Sequence, residues 1–453
     1  MHMQDPAFEV LTQAVLRYAV QRMRLDPPPL DGPRSEVELR AMAGSSVTKR
    51  GLGGLEALRI FTDVLAPACI STDHPRYLAF VPNAPTEVSI LFDLVVGASS
   101  IYGGSWLEGA GAVFAENEAL RWICDLVSFP KTAGGVFVSG GTTGNLSALV
   151  AARQTWRNPR PERDVVRGII LAGGGAHSSI AMAARVMDAD VVKIPTDDRG
   201  RLTRHAIEAT VGGLSLTDQA RIFAVVATAG TTNVGVVDDL RAAGEMALKL
   251  DAWFHVDGAY GGAALASPRT RHLFDGIELA DSFVVDPHKW LFAPYDCCAL
   301  VYRQPEWANS THTQHAEYLD VLADDHDWNP SDYAIHLTRR ARGLPFWFSL
   351  ATHGTEAYRV AIEASLTLAL EVAELIGTMA HVELVLEPEL SVVVFRRIGW
   401  GQAEYDAWSD KALADGLTIT VPTSWHGEEV LRFCFINPRT TLDDVRIILE
   451  SLA

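Results

Sequence analysis

The sequence predicts an α/β protein built on a mostly parallel sheet. Between Val136 and Tyr302, short β-prone apolar runs alternate with helical patterns, as parallel strands joined by crossover helices do. Small, polar or reactive residues sit at the carboxyl ends of these runs, the edge where open α/β sheets bind ligands. With 453 residues, 48% hydrophobic and 21% charged, the chain can fill two or three lobes and has no disordered composition.

The elements follow in order. Residues 1–66 read as helices broken at Asp26-Pro27-Pro28-Pro29, with Phe8, Leu11, Val15, Leu16 and Ala19 at helical spacing. Leu52, Leu55, Leu58 and Phe61 form a second stripe. So short a segment cannot bury its own core, so it must lie on the main body or on a partner subunit. Ile70 to Trp106 is punctuated by Pro and Gly around one apolar helix, about Glu87 to Gly97, and reads as a pocket wall. Phe114 to Val127 is an amphipathic helix. Val136 to Val138 is a strand, Ser139 to Gly144 a small-residue turn, and Leu146 to Arg153 a helix.

Further strands are expected at Gly168 to Ala172, Val191 to Ile194, Ile222 to Ala227, Trp253 to Val256, Ser282 to Val285 and Ala299 to Tyr302. Gln304 to Arg339 is a long polar connection, of the kind that is either a functional lid or disordered. A helix from Trp347 to Ala380 leads into a second lobe with strands at Leu390 to Arg396, Gly416 to Val421 and Val430 to Phe435, closed by a helix from Leu442 to Leu452. The expected division is a helical segment at 1–66, a large domain at 67–345 with a mobile loop near 305–338, and a small α+β domain at 346–453.

A net charge of −18 argues against nucleic acid and anionic membranes as partners. No apolar run reaches membrane-spanning length, and MHMQDPAFEV does not read as a signal peptide. The five cysteines are odd in number, scattered and without CxxC. They read as reduced thiols in the cytoplasm rather than as a disulfide or metal framework.

The chemistry concentrates in Ala280 to Leu300. Its apolar run breaks at Asp286-Pro287 because proline cannot continue a ladder, which leaves Lys289 on a turn at a strand end. A buried lysine is costly unless it is paired, neutral or covalently used. The covalent use is a Schiff base with pyridoxal phosphate. That cofactor needs a carboxylate at its pyridine nitrogen, a phosphate cradle and a group over its ring face. Asp257, ending a strand in HVD, can keep the nitrogen protonated. Gly140, Gly141 and Thr142 precede a helix, whose N-terminus offers N–H groups and a positive dipole end to phosphate; there is neither a Walker lysine nor GxGxxG. His288 is a second phosphate candidate, and His177, in AHSSI, can lie on the ring. Each residue alone has an ordinary reading as a cap, a solvated side chain or a plain turn. Their convergence at one sheet edge is what points to the cofactor.

HPRYLAF, GGTTGNLSALVAAR, AHSSI, TAGTTNVGVVDDL, HVDGAYGG, DPHKWL and LRFCFINPRTT occur in the order found in the group II pyridoxal-phosphate decarboxylases, and the chain resembles that family from about residue 70 to its end. The family includes aromatic-L-amino-acid, histidine and glutamate decarboxylases. The resemblance implies the fold-type-I transferase architecture, with a seven-stranded sheet, and a homodimer with shared active sites. By this likeness Lys289 is the Schiff-base lysine, Asp257 the pyridine partner and His177 the stacking base. Gly141, Thr142 and His288 match phosphate contacts, and Thr232 and Ala259 match cofactor neighbours. Phe80, Pro82 and Asn83 match a substrate-pocket segment. Tyr102 and Gly104 match positions lent by the other subunit, and Tyr318 matches a mobile-loop tyrosine.

The chain departs from the aromatic decarboxylases at GAGAVFAENE (Gly109 to Glu118), where they carry an SPAxTELE-like segment. It also has Asn83 where threonine is frequent, Gly104 where a bulky residue stands, and an extra carboxylate at Glu108. The expected activity is decarboxylation of an aromatic or otherwise bulky L-amino acid to its amine. The alternative on the same fold is decarboxylation-dependent aldehyde synthesis or another carbon–carbon lyase reaction. A catalytically inert scaffold is disfavoured by the intact Lys289, Asp257 and His177.

Overall fold

Seven strands make the main sheet: β1 Gly134–Val138, β2 Ile169–Gly173, β3 Asp190–Ile194, β4 Ile222–Thr228, β5 Trp253–Asp257, β6 Ser282–Val285 and β7 Cys298–Tyr302. Their order is β1-β7-β6-β5-β4-β2-β3, and every pairing is parallel except those of β7, which runs antiparallel to both β1 and β6. In this computed structural model the described residues are 8–158, 160–314 and 328–453. β2, β4, β5, β6 and β7 are buried along their whole length, as expected of a sheet covered on both faces. β3, at the edge, carries an exposed Lys193 that discourages further pairing. The helix Gly141–Arg157 crosses one face closely: a Cβ on Gly144 would meet Val284 Cγ1 at 2.8 Å, so only glycine fits there.

The second sheet is antiparallel, in the order β10-β11-β9-β8, with β8 Val382–Leu386, β9 Val392–Arg397, β10 Pro422–Trp425 and β11 Glu428–Cys434. β9 and β11 fall where the sequence places strands. The strand expected at Gly416 to Val421 does not form. Ile419 makes only an isolated bridge to Tyr77, and the strand begins at Pro422. β8 and the helix Gln402–Ala414 were not anticipated. The long helix spans Leu344–Gly377 and is interrupted at Gly354, where φ is 73°.

The stretch 304–339 is more ordered than its composition suggests. Pro305–His312 is a helix with Pro305, Ala308 and His312 buried, and His312 Nε2 lies 3.1 Å from Ser147 O. Trp328 stacks on Tyr333 with centroids 4.0 Å apart. Apolar residues scattered among polar ones anchor both ends. Residues 315–327, and with them Tyr318, lie outside the described residues.

The N-terminal helices are Phe8–Met23, Glu36–Ala43 and Gly54–Ile60. Neither of the first two buries a single residue, and Phe8, Val10, Val15, Leu16 and Val20 are exposed. The Arg22–Asp73 ion pair, at 2.8 Å, ties the first helix to the body. Among the described residues no helix is long and apolar enough to cross a membrane, no cluster of side chains could hold a metal, and all five cysteines are free.

Candidate active site

At the carboxyl edge of the main sheet lies a cleft of about 370 Å³. It brings together Gly140, Gly141 and Thr142 after β1, His177 after β2, Thr232 after β4, Asp257 and Ala259 at the end of β5, and His288 and Lys289 after β6. All nine residues expected to touch the cofactor therefore share one cavity.

Pro287 ends β6, and the following turn is held by backbone bonds from Lys289 N to Asp286 O (2.8 Å) and from Asp286 N to Ala259 O (3.0 Å). Asn83 braces it from below, its Nδ2 donating to His288 O and, at 2.9 Å, to Ala293 O. Lys289 Nζ lies 2.9 Å from Asp286 Oδ2. Burial works to discharge Lys289, but the Asp286 carboxylate outweighs it and the ammonium is held above its ordinary pKa. Burial likewise acts to raise Asp286, and Lys289, then His288, bring it below the usual carboxylate range. The two groups are thus an ion pair. Burial lowers the pKa of His288 against the pull of Asp286, and its Nδ1 faces Cys297 N at 3.1 Å.

The helix beginning at Gly141 has no side-chain cap, so its first-turn N–H groups and its dipole are open to an anion. A Cβ on Gly141 would sit 3.0 Å from Ala259 Cβ and 3.3 Å from Asp286 Oδ2, so a larger residue would close the cradle. Asp257, 4% exposed, accepts from Ala259 N at 3.1 Å through Oδ1 and from Asn145 Nδ2 at 2.8 Å through Oδ2. His177 caps the helix Ser178–Val186, with its Nδ1 3.2 Å from Ser179 N and 2.8 Å from Ser179 Oγ.

The expected substrate segment does not line this cleft. Phe80 is 60% exposed with φ of 53°, and its carbonyl accepts from Arg432 Nη1 at 2.8 Å. Pro82 is buried, and Asn83 supports the lysine turn rather than facing Lys289. Tyr102 and Gly104 likewise do not line the cleft: Tyr102 Oη donates to Leu337 O at 3.2 Å, and Gly104 O accepts from Ser331 N at 3.0 Å.

Sequence reasoning missed Asp286, Asn145, Tyr295 and Arg432. Asp286 sits three residues before the lysine on the same turn, a spacing legible in the sequence. Tyr295 lines both the cleft and an adjoining, largely apolar cavity of about 760 Å³. Arg432, 5% exposed, has Nε and Nη2 without hydrogen-bond partners. Thr228 Oγ1 and Asp286 Oδ1 are also buried and unpartnered.

A sheet of this order, with its lysine beyond β6 and its carboxylate ending β5, defines the fold-type-I class of pyridoxal-phosphate enzymes. The chain belongs to the pyridoxal-dependent decarboxylase family, whose conserved-domain model matches residues 55–398. It is 31% identical over 426 residues to an aromatic-L-amino-acid decarboxylase of Bacillus atrophaeus, covering 91% of this chain and 88% of that one. It is 28% identical over 443 residues to an L-2,4-diaminobutyrate decarboxylase of Acinetobacter baumannii, covering 92% and 86%. The fold matches the crystal structure of Oryza sativa TDC with PLP and tryptamine at a TM-score of 0.90 and 23% identity, over 100% of this chain and 98% of that one. The protein is a pyridoxal-phosphate-dependent amino-acid decarboxylase. The residues present fit the cofactor: an uncapped helix start, a buried carboxylate at the end of β5, a lysine and an unpartnered Thr228 hydroxyl surround one cavity.

Proposed function

We propose that the substrate is an aromatic or similarly bulky L-amino acid, released as its amine and carbon dioxide by a cytoplasmic homodimer. The observation that carries this reading is the cleft holding Lys289, Asp257 and His177, which meets a larger apolar cavity at Tyr295. When bound, pyridoxal phosphate supplies an electron-accepting ring for the electrons left behind as carbon dioxide departs.

Lys289 Nζ would hold the cofactor until the substrate amine takes its place and releases the lysine as a free amine. Asp257 would keep a proton on the ring nitrogen, and His177 would cover the ring face. The N–H groups of the first helical turn after Gly140 take the phosphate, with His288 and Thr142 beside them. Tyr318, assigned by sequence likeness alone, is the proposed donor of the proton to the substrate α-carbon. The exposed apolar face of the N-terminal helices supports a dimer, as does the fact that Tyr102 and Gly104 do not line the cleft of their own protomer. The five free cysteines support a reducing compartment.

The test is a panel of L-amino acids scored for amine and carbon dioxide, with oxygen uptake followed in parallel. Aromatic substrates should give equal amine and carbon dioxide with no oxygen consumed. Turnover confined to acidic or short cationic amino acids would refute the substrate class, and aldehyde with oxygen uptake would move the assignment to aldehyde synthesis. Tyr318→Phe should shift products from amine toward aldehyde; wild-type amine yield without oxygen uptake would remove Tyr318 from the mechanism.

A further inference from the structure

A chain of buried hydrogen bonds runs between sheet and helix, from Trp253 behind the cleft to Asn145 and Asp257 in its lining. Trp253 Nε1 lies 2.7 Å from Ser282 Oγ, and Ser282 Oγ lies 2.8 Å from His255 Nδ1. His255 Nε2 lies 2.9 Å from Asn145 Oδ1. Asn145 Nδ2 then donates to Ser179 Oγ at 2.9 Å and to Asp257 Oδ2 at 2.8 Å. Ser282 and His255 are fully buried, and Asn145 is 1% exposed.

The chemistry of its two ends gives this chain a single direction. An indole N–H only donates, and an ionised carboxylate only accepts. Starting from the Asp257 carboxylate, Asn145 presents N–H and its Oδ1 accepts from His255 Nε2, so Nδ1 of the neutral ring accepts from Ser282, which accepts from Trp253. His255 therefore carries its proton on Nε2 and donates to Asn145 Oδ1. This requires a neutral ring, and burial depresses the pKa of His255 to about 4. With its oxygen engaged, the Asn145 amide can present only N–H to Asp257 and Ser179. Ser179 Oγ, accepting from Asn145, then has its own proton free for His177 Nδ1, 2.8 Å away. A reversed amide would aim its oxygen at Asp257, tolerable only if that carboxyl were protonated.

We propose that His255, backed by Ser282 and Trp253, is a positioning residue that locks the Asn145 amide in one orientation. That one amide gives the Asp257 carboxylate an N–H donor rather than an oxygen to face, and it leaves the Ser179 hydroxyl proton free for His177 Nδ1, which already accepts from Ser179 N. The inference rests on the cofactor reading of the cleft. A buried, fully satisfied network of this kind specifies one arrangement because each misdirected group would stay unpaired.

The test uses holoenzyme loaded with pyridoxal phosphate carrying nitrogen-15 in its ring, because the resonance reports directly whether that nitrogen is protonated. Wild type should show the protonated position. His255→Gln, whose amide N–H can replace Nε2–H, should keep it. His255→Phe should move the resonance toward neutral pyridine and weaken cofactor affinity by roughly tenfold or more. Asn145→Asp gives the second route, since two adjacent carboxylates cannot both ionise; it too should shift the resonance, even if His255→Phe does not fold. A protonated resonance and affinity within about twofold of wild type in Asn145→Asp would overturn the proposal, as would His255→Gln behaving like His255→Phe. Lys289→Ala separates the two levels of the argument. If it leaves the visible band of the bound cofactor unchanged, the cleft is misread. If the band is lost while Asn145→Asp matches wild type, only the orientation lock fails.

Discussion

Lys289 and Asp286 show how much one residue's chemistry depends on its neighbour. The lysine was singled out because it ends a buried strand, but the aspartate three residues earlier keeps it charged. Asp286→Asn removes the group that opposes burial, so the Lys289 pKa should fall. The rate at which pyridoxal modifies Lys289 in the cofactor-free protein, followed against pH, should reach its midpoint at lower pH than in wild type; an unchanged midpoint would show that Asp286 does not set the charge. Asp257→Asn keeps the shape but replaces the carboxylate that Asn145 Nδ2 bonds and that the proposed mechanism sets against the ring nitrogen. Turnover should drop about a thousandfold, roughly 4 kcal/mol in the barrier, with the fold unchanged by circular dichroism. At this scale Lys289, Asp257 and His177 were legible because they converge at the carboxyl edge of one sheet, where each alone reads as an ordinary residue. Asn145 and His255 were not, because a buried polar residue within a helix or strand gives no pattern until its partners are known.

Among the elements, the uncapped start of the helix Gly141–Arg157 bears most on function. Gly141→Val would force a side chain against Ala259, where even a Cβ comes within 3.0 Å. Cofactor affinity should fall by about tenfold or more, measured by fluorescence titration, while apoprotein stability changes little; wild-type affinity would move the phosphate site elsewhere. The main-sheet strands were readable because each is a short, fully buried apolar run between helices. In the small sheet the signal is weaker. β8 is only partly buried and follows directly from the long helix, so its apolar residues read as more helix or as nothing. The run at Gly416 to Val421 reads as a strand because its centre is buried, but Thr418 and Ile419 bond to Arg76, Leu78 and Ala79 and not to the sheet.

Across the whole molecule, pH response and assembly follow from burial. Burial lowers the pKa of His74, His255 and His312 to about 4 and of His336 to about 3. Unfolding restores their ordinary value near 6.5. Between those values the unfolded chain binds more protons, so stability is present at neutral pH and lost on acidification, by up to about 1.4 kcal/mol per pH unit for each histidine. Asp238 and Asp281, raised to about 6 by burial, act in the opposite sense over roughly pH 4 to 6. Four histidines outweigh two carboxyls, so the melting temperature should decline from pH 7 to pH 5; a rise would contradict the burial argument. The exposed apolar N-terminal helices predict a dimer by light scattering, and a fully active monomer would remove the partner role of Tyr102 and Gly104.

The central claim, that Lys289 carries the cofactor, is tested most directly by reducing the holoenzyme with borohydride and mapping the modified peptide by mass spectrometry. The account predicts one pyridoxyl-phosphate group per chain, on Lys289 in the peptide containing DPHKWL. Its appearance on another lysine, or on none, would contradict the account.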